Sequence, residues 1–251
     1  MKKEEAVRLA GDVVLELSRC ENFMTNLSSR LWGLAQRSTA TLLELIYPGA
    51  CAGCGNHGSG VWCTDCHAAV QWLHGADAVQ PLVFADGTQS RVISCGVFAD
   101  ALRNGIHALK FEGRPQIARS LAVPLVTAWH EQRIVAQCIV AIPLHPSRER
   151  ERGYNQSTLL AQALSAHVGI PFEKRALKRT RVTQQQALLS QTERAANVRG
   201  AFLADRPLLE GRHVIIIDDV FTTGATLTAA AEACREAGAA EVTAMTIARA
   251  E

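Results

Sequence analysis

The run Val214-Ile215-Ile216-Ile217-Asp218-Asp219-Val220-Phe221-Thr222-Thr223-Gly224-Ala225-Thr226 decides how the rest of the chain is read. Its four β-branched aliphatic residues in an unbroken row suit a strand covered on both faces, the pattern of a parallel sheet. The row then breaks into two carboxylates and a loop of small hydroxyl and glycine residues. At the carboxyl end of a parallel strand, that succession has the form of a site for sugar and phosphate.

Adjacent carboxylates in such a place need partners, so Asp218 and Asp219 are expected to accept hydrogen bonds from vicinal hydroxyls or to approach Mg2+. Thr222, Thr223, Gly224, Ala225 and Thr226 follow where a helix begins, and a helix N-terminus carries a positive partial charge that favours phosphate. Gly224 lets the backbone come close. Hydroxyls and phosphate are then held roughly one helical turn apart, the layout of a ribose 5-phosphate. A plain strand with an Asp-Asp turn and a threonine cap would not require so dense a Thr-Thr-Gly-Ala-Thr run.

Working outward, residues 138–142 form a second buried apolar run, and 91–98 and 242–247 read as further strands. Helical spacing marks 101–111, 116–130, 159–168 and 227–237. Strand alternating with helix argues for an α/β fold, a parallel sheet with helices on both faces. Ahead of it, residues 4–19 and 27–46 carry apolar positions at helical spacing and end at Pro48-Gly49. Met24, in the polar patch between them, is a second candidate start, which would make the first segment an extension. The expected division is an N-terminal helical segment over 1–47, a zinc ribbon over 48–75 and the α/β domain over 90–251.

Four of the eight cysteines fall in two pairs, Cys51-x-x-Cys54 and Cys63-x-x-Cys66, across a short glycine-rich link. Each turn aims two thiolates at one point, and two such turns close a tetrahedral site for Zn2+. A redox dithiol would show one pair at a helix start rather than two in a loop. His57 and His67 lie close enough to replace a thiolate, but four cysteines already complete the set. With every position filled by protein, the metal's work is folding energy rather than catalysis. Cys20, Cys95, Cys138 and Cys234 are scattered among apolar residues and read as core filling in a reducing compartment.

A formal charge of +2 excludes recognition of nucleic acid through the global field, so anion specificity must come from local arginines. No apolar run approaches the roughly 18 residues of a membrane span, and the start lacks a secretory core, so the chain is expected in the cytoplasm. One such arginine cluster is Pro143-Leu144-His145-Pro146-Ser147-Arg148-Glu149-Arg150-Glu151-Arg152-Gly153-Tyr154-Asn155-Gln156. It follows a buried strand and precedes a helix, which puts it on the same sheet edge as Asp218 and Asp219, where α/β proteins bind ligands. Its other reading is a solvated run of alternating charge. A second cluster carries Lys178, Arg179, Arg181, Thr183, Gln186, Arg194 and Asn197. A lid over the site and a solvated loop are both open for it.

Residues 214–226 resemble the binding motif for 5-phosphoribosyl 1-pyrophosphate (PRPP) of type I phosphoribosyltransferases. The resemblance narrows to the ComF (competence protein F, or GntX-like) family through the four paired cysteines, Leu109-Lys110-Phe111, Arg152-Gly153-Tyr154-Asn155-Gln156, Arg179, Arg181, Thr183, Gln186, Arg194, Asn197 and Gly200-Ala201-Phe202. It covers about residues 40–250.

The resemblance implies a zinc ribbon joined to a phosphoribosyltransferase fold. Asp218 and Asp219 would hold the ribose hydroxyls, and Thr222, Thr223, Gly224, Ala225 and Thr226 the 5-phosphate. Leu144, His145, Arg148 and Arg152 are the pyrophosphate-loop candidates, and Arg179, Arg181, Gln186 and Arg194 the lid candidates. The implied cofactors are structural Zn2+ and Mg2+ bound with PRPP. The implied chemistry is displacement of pyrophosphate from the anomeric carbon by a nitrogen acceptor, which the residues do not identify; no general base is assigned. The chain stops soon after the strand at 242–247, so acceptor specificity is expected within residues 40–90. The competing expectation is a non-catalytic PRPP-sensing or single-stranded-DNA-handling module of natural transformation, partnered by DNA or DNA-uptake proteins. Trp62, Trp72 and Tyr154 would be its stacking candidates, in a chain with only 5% aromatic residues.

Overall fold

Val214, Ile215, Ile216 and Ile217 are each 0% exposed, and the sheet is laid out around them. The computed structural model describes residues 50–57, 62–181 and 200–251, within one unit running from Ala50 to Glu251. The expected helices over 4–19 and 27–46, Met24, Cys20, Thr183, Gln186, Arg194 and Asn197 lie outside the described residues.

In chain order the elements are α1 (Thr64–Ala68), β1 (Val79–Val83), β2 (Gln89–Val97), α2 (Asp100–Phe111), α3 (Ile117–Glu131), β3 (Cys138–Ala141), α4 (Pro146–Arg152) and α5 (Gln156–Val168). They continue with β4 (Leu177–Arg179), β5 (Phe202–Ala204), α6 (Arg206–Leu209), β6 (His213–Phe221), α7 (Ala225–Glu236) and β7 (Glu241–Arg249). The main sheet has the order β1-β2-β7-β6-β3. β2, β7, β6 and β3 run parallel and β1 turns back antiparallel on β2. β4 and β5 make a separate antiparallel pair.

Two apolar layers enclose the sheet. On one face Ile93, Ile139, Ile215, Ile217 and Met245 pack with Leu102, Ile106 and Leu109 of α2, Leu121 and Leu125 of α3, and Leu160 and Leu164 of α5. On the other, Val92, Val140, Val214 and Ile216 pack with Leu227, Ala230 and Cys234 of α7 and with Leu177 and Phe202 of the small hairpin. Each large aliphatic side chain buried this way contributes about 1.5–3 kcal/mol of transfer free energy. Alternate residues of a strand face opposite sides, so an unbroken aliphatic run needs both layers. Cys95, Cys138 and Cys234 are buried in these layers.

The carboxyl ends of β6, β7 and β2 share one edge, since Asp218 pairs with Thr246 and Gly96 with Ala248. The arginine-rich connection does not stay a loop: Pro146 to Arg152 coil into α4, with Pro at the first turn and Gly153 in the left-handed conformation at its end. β1 carries no strand signal in the sequence, because Val79-Gln-Pro-Leu-Val83 contains a proline and little periodicity. Its edge position tolerates Pro81.

Candidate functional site

The strand's end brings the two carboxylates into one cleft. Lys110, Asp218, Asp219, Phe221, Thr222, Gly224, Ala225 and Thr226 line a cavity of about 170 Å³ at the carboxyl edge of the sheet. Asp218 Oδ1 accepts hydrogen bonds from Ser157 Oγ at 2.8 Å and from the Asp219 amide at 2.9 Å. Among the described residues Asp219 Oδ2 has no neutral donor and is paired with the Lys110 ammonium. Burial raises the Asp218 carboxyl, and the adjacent Asp219 charge raises it further, against the Lys110 charge and the Ser157 hydrogen bond; it is pushed up to about 7.

Beyond the carboxylates the chain turns into α7 through Gly224, whose φ of 77° is left-handed. A Cβ there would lie 2.8 Å from Phe221 Cε2, so glycine is required for conformation and for space. The N–H groups of a helix's first turn have no carbonyl partner within the helix, which makes that end receptive to an anion. The Thr223 hydroxyl oxygen is buried and has no hydrogen-bond partner among the described residues. Thr222 and Thr226 line the cleft on either side of the glycine turn, and that turn fits a phosphate oxygen.

The arginine segment reaches the same edge. Asn155 caps α5 by accepting from the Ser157 amide at 3.0 Å and donates to the Ile142 carbonyl at 2.9 Å. Because Ser157 in turn donates to Asp218, a short relay ties the end of β3 to the carboxylate pair. Arg152 donates to Gln156 Oε1 at 2.5 Å and stacks over Phe111, its Cζ 5.0 Å from the ring centroid. Burial lowers the Arg152 guanidinium, and the Asp219 charge opposes that. His145 caps α4 through Nδ1, which accepts from the Ser147 amide at 3.2 Å. Leu144 is half-buried beside it. Arg179 lies over Phe202 at 5.4 Å and feels the charges of Arg148 and Asp218, so these three belong to one electrostatic neighbourhood. Arg181 is exposed at the end of the described segment.

The four paired cysteines converge. The Sγ atoms of Cys51, Cys54, Cys63 and Cys66 all lie within 4.8 Å of one another, and Cys54 and Cys63 are 3.8 Å apart. Tetrahedral Zn–S bonds of about 2.3 Å imply sulfur separations of about 3.8 Å, so the set fits Zn2+. Burial would raise the Cys51 thiol, but the amides of Cys63, Cys54 and Gly53 bring it down to about 6; those of Gly53 and Cys63 approach its sulfur at 3.3 Å. Burial pushes Cys66 up. His57 bridges back to Ala50, and the His67 ring lies 5.0 Å from that of Trp72; the four-sulfur cluster does not include them.

The knuckle leans on α2. Asn104 donates to the Gly53 carbonyl at 2.9 Å, and Trp62 lies so close to Gly105 that any Cβ there would overlap its ring. α2 ends in Lys110 and Phe111, and Tyr154 donates to the Leu109 carbonyl at 2.5 Å. Lys110 and Ser157 are the site residues that sequence reasoning left without a role. In the sequence Lys110 stands out only as part of Leu109-Lys110-Phe111, and a serine two residues past a helix cap carries no signal of its own.

A parallel sheet with this cleft at its carboxyl edge defines a phosphoribosyltransferase-like protein, and residues 153–251 match the family model of the phosphoribosyl transferase domain. The DNA utilization protein YhgH of Escherichia coli (strain K12) is 38% identical over 157 residues, 61% of this chain and 69% of that protein. Competence protein F of Haemophilus influenzae is 30% identical over 216 residues, 83% of this chain and 93% of that protein. The chain therefore belongs to the ComF (competence protein F, GntX-like) family. Among solved structures, the glutamine PRPP amidotransferase from B. subtilis complexed with ADP and GMP matches 53% of this chain at 26% identity and a TM-score of 0.35; this chain spans 26% of that one. No described helix is long and apolar enough to cross a membrane.

Proposed function

We propose that this protein binds PRPP in the cleft at the end of β6 and transfers its phosphoribosyl group to a nitrogen acceptor. The observation that carries the proposal is the convergence, in one cavity, of the Asp218 and Asp219 carboxylates, the Lys110 ammonium and the N-terminal turn of α7. The carboxylates accept hydrogen bonds from the two ribose hydroxyls. Thr222, Thr223, Gly224, Ala225 and Thr226 surround the 5-phosphate at the start of α7. Pyrophosphate faces the α4 segment, with His145, Arg148 and Arg152 nearest and Leu144 as part of the wall. Arg179 and Arg181 approach from the β4 side, and Gln186 and Arg194 follow in the same connection.

Lys110 exchanges partners on binding: the ribose hydroxyls displace it from Asp219, and its charge turns to the pyrophosphate. Mg2+ carried in with PRPP supplies charge neutralisation for the leaving group. In the transfer the acceptor nitrogen forms a bond to the anomeric carbon as the bond to pyrophosphate oxygen breaks, and the electron pair leaves with pyrophosphate. The acceptor's proton passes to solvent. Cationic side chains that stabilise charge developing on the leaving group lower the barrier. Zn2+ on Cys51, Cys54, Cys63 and Cys66 is structural, a closed site that holds the knuckle against α2.

The test is calorimetry of PRPP with Mg2+. Binding to wild type that is lost in Asp218→Asn/Asp219→Asn supports the donor site; equal binding to both proteins overturns it. Mg2+-dependent release of pyrophosphate in the presence of candidate acceptors then tests transfer. The names of the relatives, DNA utilization protein and competence protein F, favour a second reading in which PRPP occupancy governs handling of single-stranded DNA without transfer. Salt-dependent binding of an oligonucleotide that changes with PRPP, with no turnover, distinguishes that role.

A further inference from the structure

The amino edge of the sheet carries a second cavity, at the opposite end of β2 and β7 from the carboxylate cleft. Thr88, Gln89, Arg91, Arg235, Glu241 and Val242 are among the residues that line it, and it holds about 450 Å³ against about 170 Å³ for the cleft. Small-molecule sites span roughly 300–1,000 Å³. The cavity has the size of a metabolite rather than of a single ion.

Two arginines line this cavity, and both are held in position. The Arg235 guanidinium lies over the Phe84 ring, its Cζ 4.4 Å from the centroid, and donates to Thr88 Oγ1 at 2.9 Å and to Asp86 Oδ2 at 3.1 Å. A guanidinium has five N–H donors, so further donors remain after these two bonds. Arg91 is half-buried near the start of β2, and its Nε donates to Thr243 Oγ1 at 3.5 Å. That buried hydroxyl lies 3.1 Å from His213 Nε2, so the arginine is tied into a polar row across β2, β7 and β6.

The charges around the cavity do not cancel. Asp86 is occupied by Arg235 and by the amide and hydroxyl of Thr88. Glu241 Oε2 lies 3.6 Å from His213 Nδ1, toward β6. Among the described residues Arg91 forms no ion pair. A guanidinium partly withdrawn from water and without a counter-ion favours an oxyanion, and its planar fork matches phosphate.

We propose that this cavity is a second ligand site, for a small phosphorylated metabolite that also carries hydroxyl or amino groups. The phosphate takes the terminal N–H groups of Arg91 and the remaining donors of Arg235. The hydroxyl or amino groups donate to the side chains of Gln89 and Glu241. Inorganic phosphate alone would fill only part of such a volume. The site lies at the far end of β7 from the ribose-phosphate cleft, and it does not depend on how that cleft is read.

The test is a titration of the full chain with glycerol 3-phosphate, followed by the amide resonances of Gln89, Arg91, Glu241 and Val242 at one edge and of Thr222 to Thr226 at the other. Wild type should show saturable shifts at the amino-edge amides. The dissociation constant read from them should rise on the order of tenfold or more in Arg91→Gln and in Arg235→Gln, the scale of a hydrogen bond to a charged group. It should stay unchanged in Gly224→Ala, which disturbs only the other edge. Thermal melts check each variant, and Arg235→Gln leaves β2 untouched if Arg91→Gln does not fold. Shifts confined to Thr222 to Thr226, or amino-edge affinity that survives the arginine substitutions, overturn the site. Glycerate binding as tightly as glycerol 3-phosphate overturns its assignment to phosphate.

Discussion

The Lys110 ammonium is ion-paired with Asp219 Oδ2, a carboxylate whose side chain is only 6% exposed. Removing one member of a buried pair strands the other, which usually costs more than the pair contributes. Lys110→Met should therefore lower unfolding free energy by about 3 kcal/mol in urea titrations. Adding Asp219→Asn should restore most of it, because the stranded charge is then gone. A loss below about 0.5 kcal/mol would mean the pair is solvated.

Asp218 predicts a pH dependence. Its folded-state value is raised from 3.8 to about 7, so the fold prefers the protonated carboxyl. Its contribution is fully present below the unfolded value and is lost as pH rises from about 4 through about 7. The melting temperature of the ligand-free protein should carry a falling component over that window, absent in Asp218→Asn. Binding of PRPP with Mg2+ requires the anion, so it should strengthen with pH across the same range and release protons below pH 7. Calorimetry in buffers of different ionisation enthalpy measures that release.

Gly224 gives a sharper mutational test. Alanine there must adopt a left-handed φ and meet Phe221, a strain of about 1–2 kcal/mol from the conformation alone. Gly224→Ala should remain folded with a modest loss of stability, and its affinity for ribose 5-phosphate should fall by more than tenfold because the first turn of α7 shifts. Gly238→Ala, at a φ of 90° away from the cleft, controls for strain.

The metal should be countable and separable from the donor site. Purified protein is expected to carry about one Zn2+ per chain, lost in Cys54→Ser, with a drop in melting temperature. Gly105→Ala forces Trp62 off α2 and should destabilise the knuckle while leaving every thiolate in place. Zinc content by mass spectrometry, read beside thermal melts, separates the two effects.

Much of this was legible in residue order. The aliphatic run at 214–217, its break into Asp218-Asp219 and the spacing of the cysteines each follow from one local rule, and strands and helices fell within a few residues of their places. Lys110 and Ser157 were not legible, because their roles depend on packing α2 and α5 against one strand end from 109 and 61 positions away. β1 was hidden by Pro81, which an edge strand tolerates and a central one would not. α4 was read as irregular because its charges mask a proline start and a glycine stop.

The relay from the Ile142 carbonyl through Asn155 and Ser157 to Asp218 has a thermodynamic meaning as well as a structural one. Ser157 stabilises the anionic form of Asp218, so any shift of the arginine segment that breaks this hydrogen bond makes deprotonation harder. By linkage, deprotonating Asp218 must pull the segment toward the position that keeps the hydrogen bond. Proton affinity at Asp218 and the placement of the helix that carries Arg148 and Arg152 are then expected to be coupled variables.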